Sequence, residues 1–250
     1  SFAEFVTPQA AVIAAGLAPK QSVTPEYAFN VNYGYHFDAG KFAQLLHRHA
    51  VTRLGVQYVS GNVERIESLP DGSIAAVVLT TGQRLAGDLF VDCTGQRALL
   101  IGQQPGTEFV SAKGFLFNDT AIAVQVPYAD AAQPIASVTC ATAVSAGWIW
   151  DIGLQTRRGV GHVYSSAHAS EGDALEGIRG YVGKVSPQTD LDKLVFRQIR
   201  FEPGYRRRFW VGNCVAVGLS GGFIEPLEAS ALALIEQSAT IISRQLPVNR

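Results

Sequence analysis

The stretch Asp88-Leu89-Phe90-Val91-Asp92-Cys93-Thr94-Gly95 decides the fold. A short apolar run that closes on a small polar turn and a glycine reads as a buried parallel strand whose C-terminal end meets a ligand crevice. Upstream, Asp38 is a capping aspartate, and Phe42, Leu45, Leu46 and Ala50 behind it share one face of an amphipathic helix. Between helix and strand the spacing predicts strand at Gly55 to Val59, then Asn62 to Ser68, a turn at Pro70 to Ser73, Ile74 to Thr80, a turn at Thr81 to Gln83, and Arg84 to Asp92. The first thirty residues carry only a helical piece at Gln9 to Leu17 and a loop through Gln21 to Glu26.

Downstream, Thr120 to Val126, Ile135 to Ala141, Gly147 to Leu154 and Gly159 to Ser165 alternate with period two, which predicts a second, antiparallel sheet. Glu171 to Val182 reads as a helix, Phe209 to Val217 as another buried strand, Gly218 to Gly222 as a turn, and Leu227 to Leu246 as a long apolar helix. The expected architecture is α/β (α+β).

A net charge of -1 without a run of like charge removes the electrostatic footprint of nucleic-acid or anionic-membrane binding. The most apolar stretch, Leu232 to Ile242, is interrupted by Glu236, Gln237 and Ser238, so no membrane span is expected. Cys93, Cys140 and Cys214 stand at wide, non-metal spacing in apolar, strand-like contexts, which suits buried thiols in the cytoplasm. His36, His47, His49, His162 and His168 show no metal-ligand spacing, and no metal site is expected. The chain opens Ser-Phe-Ala-Glu without an initiator methionine or a signal-like segment, as a piece of a longer protein would.

Two strand-then-glycine turns carry candidate chemistry: Asp92-Cys93-Thr94-Gly95, and Gly212-Asn213-Cys214-Val215-Ala216-Val217-Gly218. Glycine at such a turn lets backbone amides approach a phosphate or a ring edge. No N-terminal Gly-x-Gly-x-x-Gly follows a strand here, so the main pyrophosphate loop of a dinucleotide domain is missing. In Glu225-Pro226-Leu227-Glu228-Ala229-Ser230-Ala231 a proline pre-sets helix entry between two carboxylates. The first-turn amides near Ser230 and Ala231 suit a small anion, while Glu225 and Glu228 equally suit plain complementation of the helix dipole. Trp148 and Trp150 alternate on one face of a strand, either as sheet packing or as a wall for an aromatic ligand.

These residues resemble the flavin-dependent tryptophan halogenase family across nearly the whole chain. The resemblance is carried by Tyr35-His36-Phe37-Asp38-Ala39, Val91 to Gly95, Phe117-Asn118-Asp119 with Ala123 to Tyr128, Gly147-Trp148-Ile149-Trp150-Asp151-Ile152, Gly212 to Leu219, and Glu225-Pro226-Leu227-Glu228. It implies an FAD/NAD(P)-binding, flavoprotein-monooxygenase-like fold with an additional antiparallel sheet, with residues 1–110 and 205–250 as parts of a discontinuous FAD-binding domain and 111–204 as a substrate-side antiparallel sheet region. Reduced FAD, oxygen and chloride or bromide would generate hypohalous acid, which travels through an internal tunnel to an electron-rich aromatic substrate such as tryptophan. Glu228 matches the assisting glutamate, Ser230 and Ala231 the halide contacts. Leu219 and Leu232 match flavin contacts, with Val63 and Asp92, Thr94 and Gly95 nearer the adenine, and Gly212, Asn213 and Gly218 in the second glycine turn. Trp148 and Trp150 match the pair that keeps substrate away from the flavin. A separate flavin reductase is implied as partner, and a homodimer is left open.

Three departures from the family pattern stand out. Gly153 replaces the usual proline, Ala229 and Ala231 stand where serine and glycine are common, and neither Lys20 nor Lys41 sits in the motif of the catalytic lysine. The 250 residues alone are therefore expected to be inactive. An FAD-dependent aromatic monooxygenase and a non-catalytic, small-molecule-binding relative with the flavin fold are the competing readings.

Overall fold

The computed structural model describes residues 5–246, with the side chain of Glu228 excepted. Ser1 to Glu4, on which the sequence opens, and 247–250 of the expected discontinuous domain lie outside the described residues. In chain order the elements are α1 (Gln9–Ala14), α2 (Ala39–Arg53), β1 (Val63–Ser68), β2 (Ile74–Leu79), β3 (Arg84–Ala86), β4 (Phe90–Asp92), β5 (Phe109–Ser111), β6 (Thr120–Pro127), β7 (Thr139–Val144), β8 (Gly147–Gly153), β9 (Arg157–Tyr164), α3 (Glu171–Val185), β10 (Arg197–Arg200), β11 (Gly204–Arg206), β12 (Trp210–Val211), β13 (Cys214–Ala216), β14 (Gly222–Phe223) and α4 (Ser230–Gln245).

The chain divides into two compact units, Ser1–Gln57 with Thr120–Ile199, and Tyr58–Asp119 with Arg200–Arg250. The boundaries differ from 1–110, 111–204 and 205–250. Residues up to 57 group with the large sheet because side chains of that segment are tied to it. His36 Nδ1 bonds the Gly153 carbonyl at 3.3 Å, its Nε2 meets Thr139 Oγ1 at 3.1 Å, and Asp38 pairs with Arg157 at 2.6 Å.

In the first of these units the antiparallel sheet runs in the order β10-β6-β9-β8-β7. Helix α3 covers one face. Ser170 caps it by a capping box with Asp173, and Ala174, Ile178 and Val182, four residues apart, lie against Ile122, Val124, Val126, Ile149, Val160 and Tyr164. Burying an isoleucine or valine completely is worth about 1.5–3 kcal/mol, so this seam holds the helix to the sheet. A polar cluster is set into the same face. Asp151 receives the Arg158 guanidinium and the Tyr181 hydroxyl (3.0 Å), and Arg158 Nη1 donates to Ser186 Oγ at 2.7 Å. Burial, and then the Asp151 charge, pushes the Tyr181 phenol up to about 12.

Sheets of three strands each make up the other unit: the hairpins β1-β2-β3, the set β14-β11-β5, and β12-β13-β4, in which β13 and β4 run parallel. Ile74, Val77, Ala98, Leu100, Ile101, Cys214 and Ala216 form its core.

Helix α2 forms where expected, capped by Asp38 Oδ1 on the amides of Gly40 and Lys41, but it buries none of its residues, and Leu45 and Leu46 stay exposed. Four strand expectations are corrected. Gly55 to Val59 is exposed coil, without a partner strand. Arg84 to Asp92 breaks at Gly87 to Leu89, because the Phe90 amide donates to the Asn213 carbonyl (2.8 Å) in a different sheet. Phe209 to Val217 folds back on itself, with Gly212 at φ +55° between β12 and β13. The strand expected at Ile135 starts only at Thr139, where pairing with Ile152 begins.

Cys214 is buried, whereas Cys93, just past β4, and Cys140, on the exposed edge strand β7, are not, contrary to the expectation of three buried thiols. Burial, and then the charge of Asp92, raises the Cys93 thiol and pushes Cys214 up to about 12. Titration of the native protein at pH 8 with a thiol-reactive chromogenic disulfide should therefore modify Cys140 and, more slowly, Cys93, with Cys214 reacting only after unfolding.

Candidate active site

Strands β4 and β13 pair in register, Cys214 to Phe90, Val215 to Val91 and Ala216 to Asp92, so the two chains leave the sheet side by side at the same end. Each then turns on a glycine with positive φ, Gly95 at +72° and Gly218 at +68°. A Cβ added to Gly95 would meet nothing within 4 Å, and one on Gly218 would only touch Ile235 of α4 at 3.5 Å. The turn at Gly95 thus leaves open space over its backbone at the C-terminal ends of two parallel strands, which is where open α/β sheets bind ligands.

Asp92 organises both turns. It is fully buried, and its carboxylate accepts four hydrogen bonds, from Thr94 N (2.9 Å), Thr94 Oγ1 (2.6 Å), Leu100 N (2.9 Å) and Ile101 N (2.8 Å). Its carbonyl accepts from Val217 N at 3.0 Å and from the Ser220 hydroxyl. A carboxylate taken out of water costs several kcal/mol unless donors replace the solvent, and here four do. Every polar atom of Asp92 that could accept is engaged within the chain, so its side chain shapes the turn. Thr94 is likewise engaged, its hydroxyl also accepting from Leu99 N at 2.8 Å. Ala98, buried at φ +44°, closes the loop back under Asp92 in a left-handed conformation unfavourable for a residue with a Cβ.

Gly212 and Asn213 do not join this cluster. They sit at the opposite end of β13 from Gly218, about 10 Å of strand away. There Asn213 bonds both polar groups of Ile74, Oδ1 accepting from its amide and Nδ2 donating to its carbonyl, each at 2.8 Å. The amide clamps the hairpin β1-β2 to β13. Val63, expected nearer an adenine, starts β1 opposite Leu79 and packs on the core that contains Ala98 and Ile101.

Sequence reasoning missed Ser220 and Arg206. Ser220, buried in the Gly-Leu-Ser-Gly-Gly turn, bonds the Asp92 and Val217 carbonyls, and Arg206 holds the turn from outside through Ser220 O and Thr107 O, both at 2.8 Å. The Asp-x-Thr spacing at 92–94 is the signal that marks such a side-chain-stabilised turn; nothing in the local sequence marks Arg206.

Beyond the second turn, Glu225 Oε1 accepts from Asn118 Nδ2 at 2.8 Å, which ties the Glu-Pro-Leu-Glu segment to Phe117-Asn118-Asp119. Pro226 opens a short 3-10 turn over Leu227–Ala229, and Ala229 stands at φ +51° immediately before α4. Left-handed alanine costs about 1–2 kcal/mol, so the entry into α4 is strained at the residue before Ser230 and Ala231. Those two are half-buried in its first turn, whose amides lack intrahelical acceptors. Leu219 and Leu232 are 44% and 58% exposed.

Trp148 and Trp150 belong to the sheet of the other unit. They share the face opposite α3, rings 6.1 Å apart and tilted by 60°. Trp150 lies over Gly161, where a Cβ would fall 1.9 Å from its ring, so glycine on β9 makes the seat for the indole. Gly153, at the end of the same strand, is packed against Ile135 and Tyr128, and a Cβ there would meet Ile135 at 2.8 Å. Asp38, capping α2, is also held by Arg157; that guanidinium, with the Lys41 amide, keeps the Asp38 carboxyl below its usual range.

Paired glycine turns at the ends of parallel strands, with an additional antiparallel sheet, define a mixed α/β protein of the nucleotide-binding type. A model described as tryptophan halogenase matches residues 1–250. Tryptophan 7-halogenase RebH of Lentzea aerocolonigenes is 38% identical over 216 residues, 86% of this chain and 40% of that protein. The structure of a tryptophan halogenase from Shewanella frigidimarina matches all of this chain and 47% of that one, at 49% identity and a TM-score of 0.92. Xcc4156, a flavin-dependent halogenase from Xanthomonas campestris, matches 95% of this chain and 45% of its own, at 37% identity and a TM-score of 0.81. The chain belongs to the tryptophan halogenase family, and it spans 40% of the length of the curated relative RebH.

Asp92→Asn would set an amide NH2 against backbone N–H donors in a buried site. It should cost about 2–4 kcal/mol, read as a lowered denaturation midpoint with unchanged slope. For Asp38, a folded pKa below the unfolded value means that the clamp stabilises fully above about pH 4 and is lost as the pH falls below it. The melting-temperature difference between the wild type and Asp38→Asn should accordingly be largest near neutrality and vanish in acid.

Proposed function

We propose that the protein acts in flavin-dependent halogenation of tryptophan or another electron-rich aromatic, in the cytoplasm, with reduced FAD provided by a separate flavin reductase and chloride or bromide as the halogen source. The observation that carries this reading is the family match over residues 1–250, joined to the open, glycine-lined end of the parallel strands β4 and β13. The residues there fit a flavin nucleotide. Gly95 and Gly218 give the backbone close approach to it, Thr94 holds the first turn, and Leu219, Leu232 and Val63 supply apolar contact. Asp92 and Asn213 act as positioning residues, since their polar groups are engaged by the protein itself. Reduced flavin, when bound, supplies the two electrons with which oxygen converts halide into an electrophile.

Ser230 and Ala231 hold the halide through hydroxyl and backbone amide in the first turn of α4, where the helix dipole favours an anion. Glu228 assists at the aromatic ring. A carboxylate beside the ring stabilises the positive charge that develops as the electrophile adds, and takes the proton that leaves as aromaticity returns. Trp148 and Trp150 form a wall that keeps the aromatic substrate from the flavin.

The test incubates the full-length protein with reduced FAD, oxygen and a panel of indoles and phenols, in chloride, in bromide and with neither, and reads products by mass spectrometry. Halogen isotope patterns that require halide, reduced about a hundredfold or more in Glu228→Gln with flavin binding retained, are expected. Hydroxylated products independent of halide would sink this reading in favour of direct oxygenation.

A further inference from the structure

The segment Tyr33-Gly34-Tyr35-His36-Phe37, ahead of α2, alternates aromatic side chains with period two. The rings of Tyr33, Tyr35 and Phe37 follow one another at 5.5 and 5.8 Å. His36 is bonded instead to the Gly153 carbonyl and Thr139 Oγ1, which ties the segment to the large sheet. Lys20 reaches this row from the preceding loop. A turn closed between Gln21 and Thr24 brings the Pro25 carbonyl to its ammonium group at 3.4 Å. The same Nζ lies 3.4 Å from Tyr33 Oη and 5.3 Å from the centre of that ring. The amine is nearer the oxygen than the ring centre, so it stands at the hydroxyl end, beside the ortho carbons that an electrophile attacks in a phenol.

The Tyr33 oxygen is also 3.3 Å from the Tyr35 hydroxyl. The hydrogen bond from Tyr35, and then the Lys20 ammonium, hold the Tyr33 phenol below its usual range. A larger share of phenolate makes the ring more electron-rich. Tyr33 is half-buried, so small reagents reach it. Exposure alone would not choose it, since Tyr27, Tyr58 and Tyr205 are 79%, 65% and 50% exposed.

We propose that Tyr33 is a modification site for electrophilic halogen, with Lys20 as the group that takes the halogen up and passes it to the ring. The unprotonated Lys20 amine attacks the chlorine of hypochlorous acid. An N–Cl bond forms, the Cl–O bond breaks, and the hydroxide leaves with the amine proton as water. The Tyr33 ring then attacks that chlorine through the carbon ortho to its hydroxyl. The electron pair of the N–Cl bond returns to nitrogen, the ring proton follows it, and the amine is regenerated. The sum is chlorotyrosine and water, with chlorine(I) reduced and the ring oxidised by two electrons. Holding the amine against the ring makes the second step intramolecular. Lys20 and Tyr33 are outside the residues assigned above to flavin, halide or aromatic substrate, and the proposal rests on the proposed function only for the source of the oxidant.

To test it, the 250-residue chain, with Cys140 and Cys93 blocked by N-ethylmaleimide, is treated with limiting hypochlorous acid near neutral pH, digested and read by mass spectrometry. The chain contains no methionine, so blocking these thiols removes the faster accessible sulfur sinks. Monochlorotyrosine at Tyr33 should exceed that at Tyr27, Tyr58 or Tyr205 by at least about tenfold. Lys20→Arg keeps the positive charge but not the amine, and should remove that excess. Lys193→Arg, a change at an exposed lysine paired with Asp190, should leave it intact. Chlorination that follows exposure, or a Tyr33 excess that survives Lys20→Arg, overturns the proposal. Because hypochlorous acid is added as a reagent, a protein that fails to halogenate tryptophan gives the same result here, and the two readings fail separately.

Discussion

The buried carboxylate of Asp92 is the constraint on which the candidate site depends. One side chain holds the turn after β4, and its own carbonyl holds the turn after β13, so two strand ends separated by more than a hundred residues of sequence are shaped by a single residue. The charge stays buried because four donors face it, and the donors stay ordered because the charge is there. Gly95 and Gly218 adopt left-handed backbone beside that centre and leave the crevice open; a side chain at Gly95 would be strained by its φ although there is room for it.

The large sheet solves a different problem, that of seating two indoles on one face while the other face closes on a helix. Gly161 on β9 makes the space for Trp150, and the opposite face buries branched aliphatic residues against α3. The polar set Asp151, Arg158, Tyr181 and Ser186 lies on that helix-covered side. A buried pair of this kind contributes little net stability, yet removing one partner strands the other in a dry environment. This makes the register of β8 and β9, and so the position of the tryptophans, hard to change.

Much of the architecture was legible from local chemistry. The Asp38 cap, the helix start at Glu171, and the turns at Pro70 to Ser73 and Thr81 to Gln83 each depend on neighbours a few residues away. Where the reading failed, the deciding partner was distant. The break before Phe90 follows from a bond to Asn213, the late start of β7 from its register with β8, and the exposure of Cys140 from the edge position of β7. The grouping of Gly212 and Asn213 with the crevice failed for the same reason, since their proximity to Gly218 in sequence runs along a strand that carries them to its other end.

The sequence by itself determined that the chain is mixed α/β, where its first three helices begin, that two glycine turns follow apolar strands, and that its motifs resemble those of the tryptophan halogenases; the last helix, expected from Leu227, starts only at Ser230, past a 3-10 turn and left-handed Ala229. Those features follow from backbone propensity, capping and side-chain period, which act over one or two turns of chain. Only the tertiary structure decided that Asp92 supports the crevice from beneath, that Arg206 and Ser220 brace it, that Glu225 is tied to Asn118, and that Arg157 pairs with Asp38. Each of these is a hydrogen bond, an ion pair or a shared surface between residues far apart in sequence, and no local pattern encodes which distant group will satisfy a buried charge.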